Sequence, residues 1–332
     1  MISVGVIANP SAGKDIRRLV AQGRVVSDQE KANTIIRVFA GLKAMGVDRV
    51  LSMPERSLLT REAAKKFEGA LVTDYVEMPP AEHGGASTRA ANAMIEDGVE
   101  CIVTIGGDGT NRNVAAAGSD VPLVAISTGT NNVFPQMVEG TLAGVAAGAI
   151  ATGKVTREEV CRHSKRLEIC IDGQLREIAL VDAAVSRETF AGTRAVWDLS
   201  TITDVFLTRA EPACIGISAL GAHLQRITID EPRGMHFTIG DSKSKTQVLA
   251  PTGPGTVDSV GIDRWSVLEP GDRHEIEQRP GMIALDGERE VSLLAALTVE
   301  ISLSTDGPWV VDVPVALEVL ARINSNGMRP AT

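Results

Sequence analysis

The residues that most narrow what this chain can become are Cys101 to Thr110. Cys101-Ile102-Val103-Thr104-Ile105 is a short apolar run that predicts a buried strand. It leads straight into Gly106-Gly107-Asp108-Gly109-Thr110, and helix-compatible sequence follows. Three glycines around one carboxylate permit close approaches that a β-carbon blocks. The backbone N–H groups of such a loop, with the N-terminus of the next helix, make a site for phosphate oxygens. Asp108 then stands where phosphate chemistry takes place, fit to accept a proton from an attacking hydroxyl or to hold magnesium. A tight strand-to-helix turn with Asp108 capping the helix is the plainer reading of the same residues.

Around that unit the first half alternates strand and helix signals. Ile2 to Ala8 is apolar and ends at Asn9-Pro10, a turn signal. Ala32 to Met45 carries Ile35, Ile36, Phe39, Leu42 and Met45 at helical spacing, and Gly46 stops it. Short strands are predicted over Arg49 to Met53, Ala70 to Met78 and Pro122 to Ile126, with helices over Thr60 to Phe67, Ser87 to Glu96, Thr110 to Ala117 and Thr141 to Ala151. The repeated order predicts an α/β fold with a parallel sheet covered by helices on both faces. Ligands of such sheets bind beyond the carboxyl ends of the strands.

After about Gly153 the texture changes. Arg166 to Ile171 and Leu175 to Val181 flank Asp172-Gly173 and predict a hairpin. Short extended runs follow, among them Ala213 to Ala219, Val260 to Val267, Met282 to Leu285 and Val299 to Leu303, which predict a β-rich, sandwich-like second domain. Val315 to Ile323 reads as a last short helix or strand. The expected division is 1–155 for the nucleotide-binding part, 156–314 for the β-rich part and 315–332 for a C-terminal segment.

Further polar loops fall at strand ends. Asn9-Pro10-Ser11-Ala12-Gly13-Lys14 leaves the first strand; it lacks the Walker spacing, and Lys14 suits either phosphates or solvent. Ser87-Thr88 opens a helix and reads also as its N-cap. Ser127 to Pro135, with Thr128, Asn131 and Asn132, is dense in hydrogen-bonding groups. Three such loops at one sheet edge point to a nucleotide site. Leu285-Asp286-Gly287-Glu288 brings two carboxylates, and alone it reads as a hairpin turn.

Composition removes other classes. Net charge is −9 and only ten of 332 residues are aromatic, which argues against wrapping or stacking nucleic acid. No apolar run approaches the roughly 18 residues of a membrane helix, so no stable membrane insertion is expected. The four cysteines and five histidines show no metal-ligand spacing. Cys101 and Cys170, in apolar strand-like runs, read as buried, reduced thiols. Because Met1 to Ile7 reads as a strand without the basic stretch of a signal peptide, a cytoplasmic location is expected.

Together these residues resemble the superfamily of NAD kinases and diacylglycerol kinases. GGDGT is its most specific signature, and Asn9-Pro10-x-x-Gly13 is similar to its opening NPxxG. Thr88 is similar to the threonine placed near the adenine of ATP. Asp286-Gly287-Glu288 resembles the DGQ of NAD kinases and, more closely, the DGE of lipid kinases. Asp182 lies where NAD kinases carry an Asn-Glu pair, with Ala183 in place of the glutamate. Gly106 to Gly144 most resembles the acetoin catabolism protein X group. The resemblance implies an NAD kinase-like fold with its site between the two domains, and a C-terminal segment that packs back on the first.

It also implies ATP and Mg²⁺ as cofactors and a small-molecule hydroxyl as acceptor, NAD foremost. Asp108 would be catalytic. Asn9, Gly13, Thr88, Gly106, Gly107, Gly109, Thr110, Thr128, Asn131 and Asn132 would bind the nucleotide. Asp182, Asp286 and Glu288 would bind substrate, and the residues for the metal stay unassigned. A homo-oligomer is expected. The alternatives are a lipid or small-alcohol kinase and a non-catalytic nucleotide-binding accessory protein of acetoin catabolism.

Overall fold

A computed structural model describes the chain except for residues 13–22, 24–25, 80–84, 119, 130, 190–198, 294–297 and 327–332. It opens with β1 (Ser3–Ala8), buried along its whole length. Helix α1 (Asp28–Met45) follows. Ser27 caps it by accepting from Glu30 N, and Gly46, at φ 92°, closes it. It begins a turn earlier than its apolar spacing predicts, because Asp28 and Glu30 suit the positive end of a helix whatever their hydropathy. Then come β2 (Arg49–Ser52), α2 (Arg61–Lys66), β3 (Val72–Tyr75), α3 (Gly85–Glu96), β4 (Cys101–Gly106), α4 (Asp108–Ala115), β5 (Leu123–Ser127) and α5 (Gly140–Ala151). Helix α6 (Arg157–Val160) leads into β6 (Cys161–His163).

The strands from β1 to β5 form one parallel sheet in the order β3-β2-β1-β4-β5. Ser3 to Val6 register with Arg49 to Ser52 on one side, and Val4 to Ala8 with Cys101 to Ile105 on the other. Strand order reverses between β1 and β4, which puts Asn9, the GGDGT loop and the loop after Ser127 at one edge. One face of the sheet packs Ile35, Phe39 and Leu42 of α1 and Ala143, Ala146 and Ala147 of α5. The other face packs Ala90, Ala91 and Met94 of α3. Each fully buried Leu, Ile or Phe contributes about 1.5–3 kcal/mol.

The second half supplies β7 (Arg166–Ile171), β8 (Gln174–Ala179), β9 (Asp182–Ser186), β10 (Ile202–Leu207), α7 (Ile217–Leu224), β11 (Gly234–Ile239), β12 (Thr246–Gly253), β13 (Thr256–Leu268), β14 (Arg273–Glu275), β15 (Gly281–Leu285), β16 (Glu288–Leu293) and β17 (Val299–Ser304). Two antiparallel sheets result, ordered β12-β13-β11-β10-β9-β15-β16 and β14-β17-β7-β8. Alternation sorts their residues: Ala183, Val185 and Phe206 face Leu167, Ile169 and Ile301 of the smaller sheet, while Ala184, Val205 and Leu207 face α7. The fold is thus α/β with a parallel sheet, joined to a β-rich half.

Two elements return to the first sheet. β18 (Trp309–Val311) pairs in parallel with β5 and antiparallel with β6. Helix α8 (Val313–Asn326) then buries Val313 and Ala316 in the cluster that holds α1 and α5. Val315 to Ile323 lies wholly within this helix, which decides between the helix and strand readings of it. Ala213 to Ala219 is not a strand. Gly216, at φ 100°, turns the chain into α7 instead. No described helix is long and apolar enough to cross a membrane.

Candidate functional site

Gly106 ends β4, and Gly107 opens α4 without any side-chain cap, so no side chain claims the N–H groups of its first turn. Gly107 has φ −104°, which any residue adopts. The glycines serve space instead. A β-carbon on Gly106 would stand 2.6 Å from the Thr110 side chain, and one on Gly107 would stand 2.9 Å from Asn132 Oδ1. Asn111 pins the turn, accepting from Thr104 Oγ1 at 2.6 Å and donating to Gly107 O at 2.8 Å.

Asp108 is the first residue of α4 and is 9% exposed. Val133 N donates to both carboxylate oxygens at 3.1 Å, and Phe134 N donates to Oδ1 at 2.8 Å. The loop after β5 is thereby fastened over the glycine motif. Thr128 N also donates to Gly106 O, and Asn132 Nδ2 to Ser127 Oγ. Thr128 Oγ1 and Asn131 Oδ1 are buried in this loop with no hydrogen-bond partner.

Asn9 links the third loop to the motif through Nδ2, which donates to Thr110 Oγ1 at 2.9 Å. A residue that the sequence did not single out holds this loop. Lys31, fully buried in the first turn of α1, donates to Pro10 O and Ala12 O at 2.9 Å and to Asn9 O at 3.3 Å. The ammonium gathers the carbonyls on its own side. Lys31→Met leaves those carbonyls without their donor, a loss of about 2 kcal/mol in urea unfolding. An unchanged unfolding midpoint would contradict this.

The Asp286-Gly287 turn has φ 51° and 79°, and it joins β15 to β16. Its carboxylate is buried, accepting from Val181 N at 2.7 Å, Leu180 N at 3.1 Å and Asp182 N at 3.2 Å. Asp286 N donates to Asp182 O at 2.9 Å, so two of the three acids predicted to bind substrate are neighbours. Arg112 of α4 reaches this turn and donates to Leu285 O at 3.1 Å. The GGDGT helix and the DGE turn therefore belong to one buried assembly.

Arg209, just after β10, completes it. It is buried, with its guanidinium 5.6 Å from the centre of the Phe134 ring. Burial, then the charge of Asp286, pushes the Asp108 carboxyl up to about 7, against the pull of the Phe134 and Val133 N–H groups and of Arg209. Burial also raises Asp286, opposed first by Arg112. Burial lowers Arg209, opposed first by Glu211 and then by Asp108. The only sequence signal for Arg209 was a charged residue closing the apolar Val205-Phe206-Leu207 run.

The remaining predicted residues divide. Thr88 lies inside the first turn of α3 and its Oγ1 donates to Asn113 O at 2.7 Å, tying α3 to α4 and capping nothing. Gly109 is the second residue of α4. Gly13 and Lys14 lie outside the described residues, as does the side chain of Glu288, whose backbone opens β16. Among the described residues no three His, Cys, Asp or Glu side chains converge to hold a metal ion.

Residues 4–155 match the family described as the ATP-NAD kinase N-terminal domain, and residues 165–306 match the acetoin catabolism protein X C-terminal domain. The chain is 38% identical over 301 residues to the acetoin catabolism protein X of Cupriavidus necator, which covers 87% of this chain and 84% of that protein. It is 28% identical over 149 residues to an NAD kinase of Methanosarcina barkeri, covering 43% of this chain and 50% of that protein. For an NAD kinase of Methanosarcina mazei the identity is 26% over 149 residues, covering 43% and 48%. Likeness to the NAD kinases covers under half of the chain, whereas likeness to the catabolic protein runs through both halves. The chain belongs to the acetoin catabolism protein X family.

Proposed function

We propose that this protein is an ATP-dependent phosphotransferase acting on a hydroxyl of a small metabolite, with NAD the leading acceptor. The observation that carries the reading is Asp108, a carboxylate at the opening of a helix beside uncapped N–H groups, with its pKa pushed to about 7. A base tuned to the working pH is what proton abstraction from an alcohol needs. Asp108 would take the proton as the acceptor oxygen attacks the terminal phosphoryl group. The first-turn N–H groups of α4, the Thr128 hydroxyl and the Asn131 and Asn132 amides would hold phosphate and ribose oxygens. Magnesium, when bound, neutralises charge on the phosphoryl group. Its ligands would be phosphate oxygens and water, which leaves Asp108 free to take the proton. Asp182 would meet polar atoms of the acceptor.

The test is incubation of the pure protein with ATP, Mg²⁺ and a panel of acceptors, read by mass spectrometry. NADP formed from NAD is the expected product. Phosphorylated diacylglycerol with no NADP would favour the lipid kinase. One observation favours a non-catalytic nucleotide-binding protein: both Asp108 oxygens accept backbone N–H groups, as a structural bolt would. Tight ATP binding without turnover on any acceptor would decide for that reading.

A further inference from the structure

Beside Asp108, four buried polar atoms lack a hydrogen-bond partner: Thr128 Oγ1, Asn131 Oδ1, Arg209 Nε and Ser218 Oγ. Native proteins rarely leave such groups unsatisfied, so a cluster of them marks a place where something else binds. Thr128 and Asn131 share one loop, and Arg209 is near enough to Asp108 for their charges to interact. Asn131 Oδ1, an acceptor, suits a ligand hydroxyl, while the other three can donate to an anion. Asn131 Oδ1 lies 3.7 Å from where a β-carbon on Gly216 would stand, and Gly216 opens α7 with no side-chain cap. Ser218, in the first turn of α7 and 1% exposed, has among the described residues only the weak Cys214 thiol within reach, and that thiol is near enough to feel both Arg209 and Asp108. Arg209 is 5% exposed and has no hydrogen bond or ion pair with any described residue. A buried guanidinium that has the Phe134 ring beside it but no hydrogen-bond acceptor for Nε is costly to keep. Function is the reason to keep one.

We propose that Arg209, Ser218 and the uncapped N-terminus of α7 bind an oxyanion, a carboxylate or a phosphate, carried by the acceptor whose hydroxyl meets Asp108. The word acceptor rests on the phosphotransferase reading; the anion site does not. The first turn of α4 already offers the donor's phosphates a set of N–H groups, while Arg209 and α7 come from the β-rich half. The acceptor is then an anionic alcohol. Neutral polyols and diacylglycerols lack the group that would satisfy Arg209, and a site with unpaired polar groups rejects them.

The experiment is calorimetric titration of the full chain without nucleotide, using inorganic phosphate, D-glycerate, glycerol 3-phosphate and glycerol. Phosphate and at least one of the two anionic alcohols should bind, and glycerol should not; whichever alcohol binds names the group as carboxylate or phosphate. Arg209→Met should weaken anion binding at least about tenfold, the scale of one charge-assisted hydrogen bond, and Ser218→Ala should weaken it less. ATP affinity should hold in both variants. Arg209→Met should keep or raise the melting temperature, because it removes a buried charge that makes no hydrogen bond and leaves an apolar chain against Phe134, so lost binding is not lost folding. Equal anion affinity in wild type and Arg209→Met overturns the proposal. So does a parallel loss of ATP affinity, which would assign Arg209 to the donor. Anion binding that depends on Arg209, without phosphoryl transfer to any acceptor, supports this site and removes the kinase reading alone.

Discussion

Asp108→Asn lowers turnover by at least about a hundredfold, the scale of losing a general base, while the protein stays folded. The amide keeps the size of the carboxylate and one oxygen to accept Phe134 N, but it takes up no proton from an alcohol. Stability supplies an independent check. Asp108 titrates near 7 in the fold against an ordinary value of 3.8. Its folded pKa is raised, so its ionised form is disfavoured by folding. The penalty is absent below about 4, grows as pH rises, and is complete above about 7, where it reaches on the order of 4 kcal/mol. The neutral amide escapes it. The melting temperature of Asp108→Asn relative to wild type should therefore rise between about pH 5 and about pH 8. A pH-independent difference would mean that Asp108 titrates as an ordinary exposed acid.

The second large effect lies away from the chemistry. Helices α1 and α5 cross through glycines, and a β-carbon on Gly144 would stand 2.2 Å from Val38 O. One on Gly41 would stand 2.5 Å from Thr141 O. Both contacts are with backbone, which cannot swing aside as a side chain can. Gly144→Ala should cost about 3 kcal/mol, the upper end for overpacking, because the helices must separate. The same separation draws the N-terminal turn of α1, with Lys31, away from the loop after β1. Chemical denaturation measures the loss. A change within about 0.5 kcal/mol, as for an inert surface site, would contradict the tight crossing.

Much of the fold is legible in the sequence because local signals and tertiary structure agree. The apolar run before Gly106 is β4, and the Asp172-Gly173 and Asp286-Gly287 pairs form hairpin turns with positive φ at both residues. The parallel sheet follows from the alternation of strand and helix. Strands β9 and β10 gave no such signal. Asp182-Ala183-Ala184-Val185-Ser186 is buried on both faces, so it shows no alternation. Helix α7 was masked by small residues that suit strand or helix, and Gly216 decided the matter through its backbone angle.

The candidate site was legible as loops and not as contacts. Asp108, Asn9 and the 127–134 loop lie together as their glycine and asparagine content suggests. The partners of Asp108 are main-chain N–H groups 25 and 26 residues away, which no side-chain pattern announces. Lys31 and Arg209 stand in unremarkable surroundings in the sequence. Only tertiary packing reveals that one holds a loop by its carbonyls and the other is buried against the Phe134 ring.

The most direct test of the central claim is the pH dependence of ADP formation by wild type and Asp108→Asn, with saturating ATP, Mg²⁺ and acceptor. The wild-type rate should climb through about 7, where Asp108 loses its proton beside Asp286 and Arg209. The variant should stay near background across the range. Equal, pH-independent rates in the two proteins would contradict the assignment of Asp108 as the base.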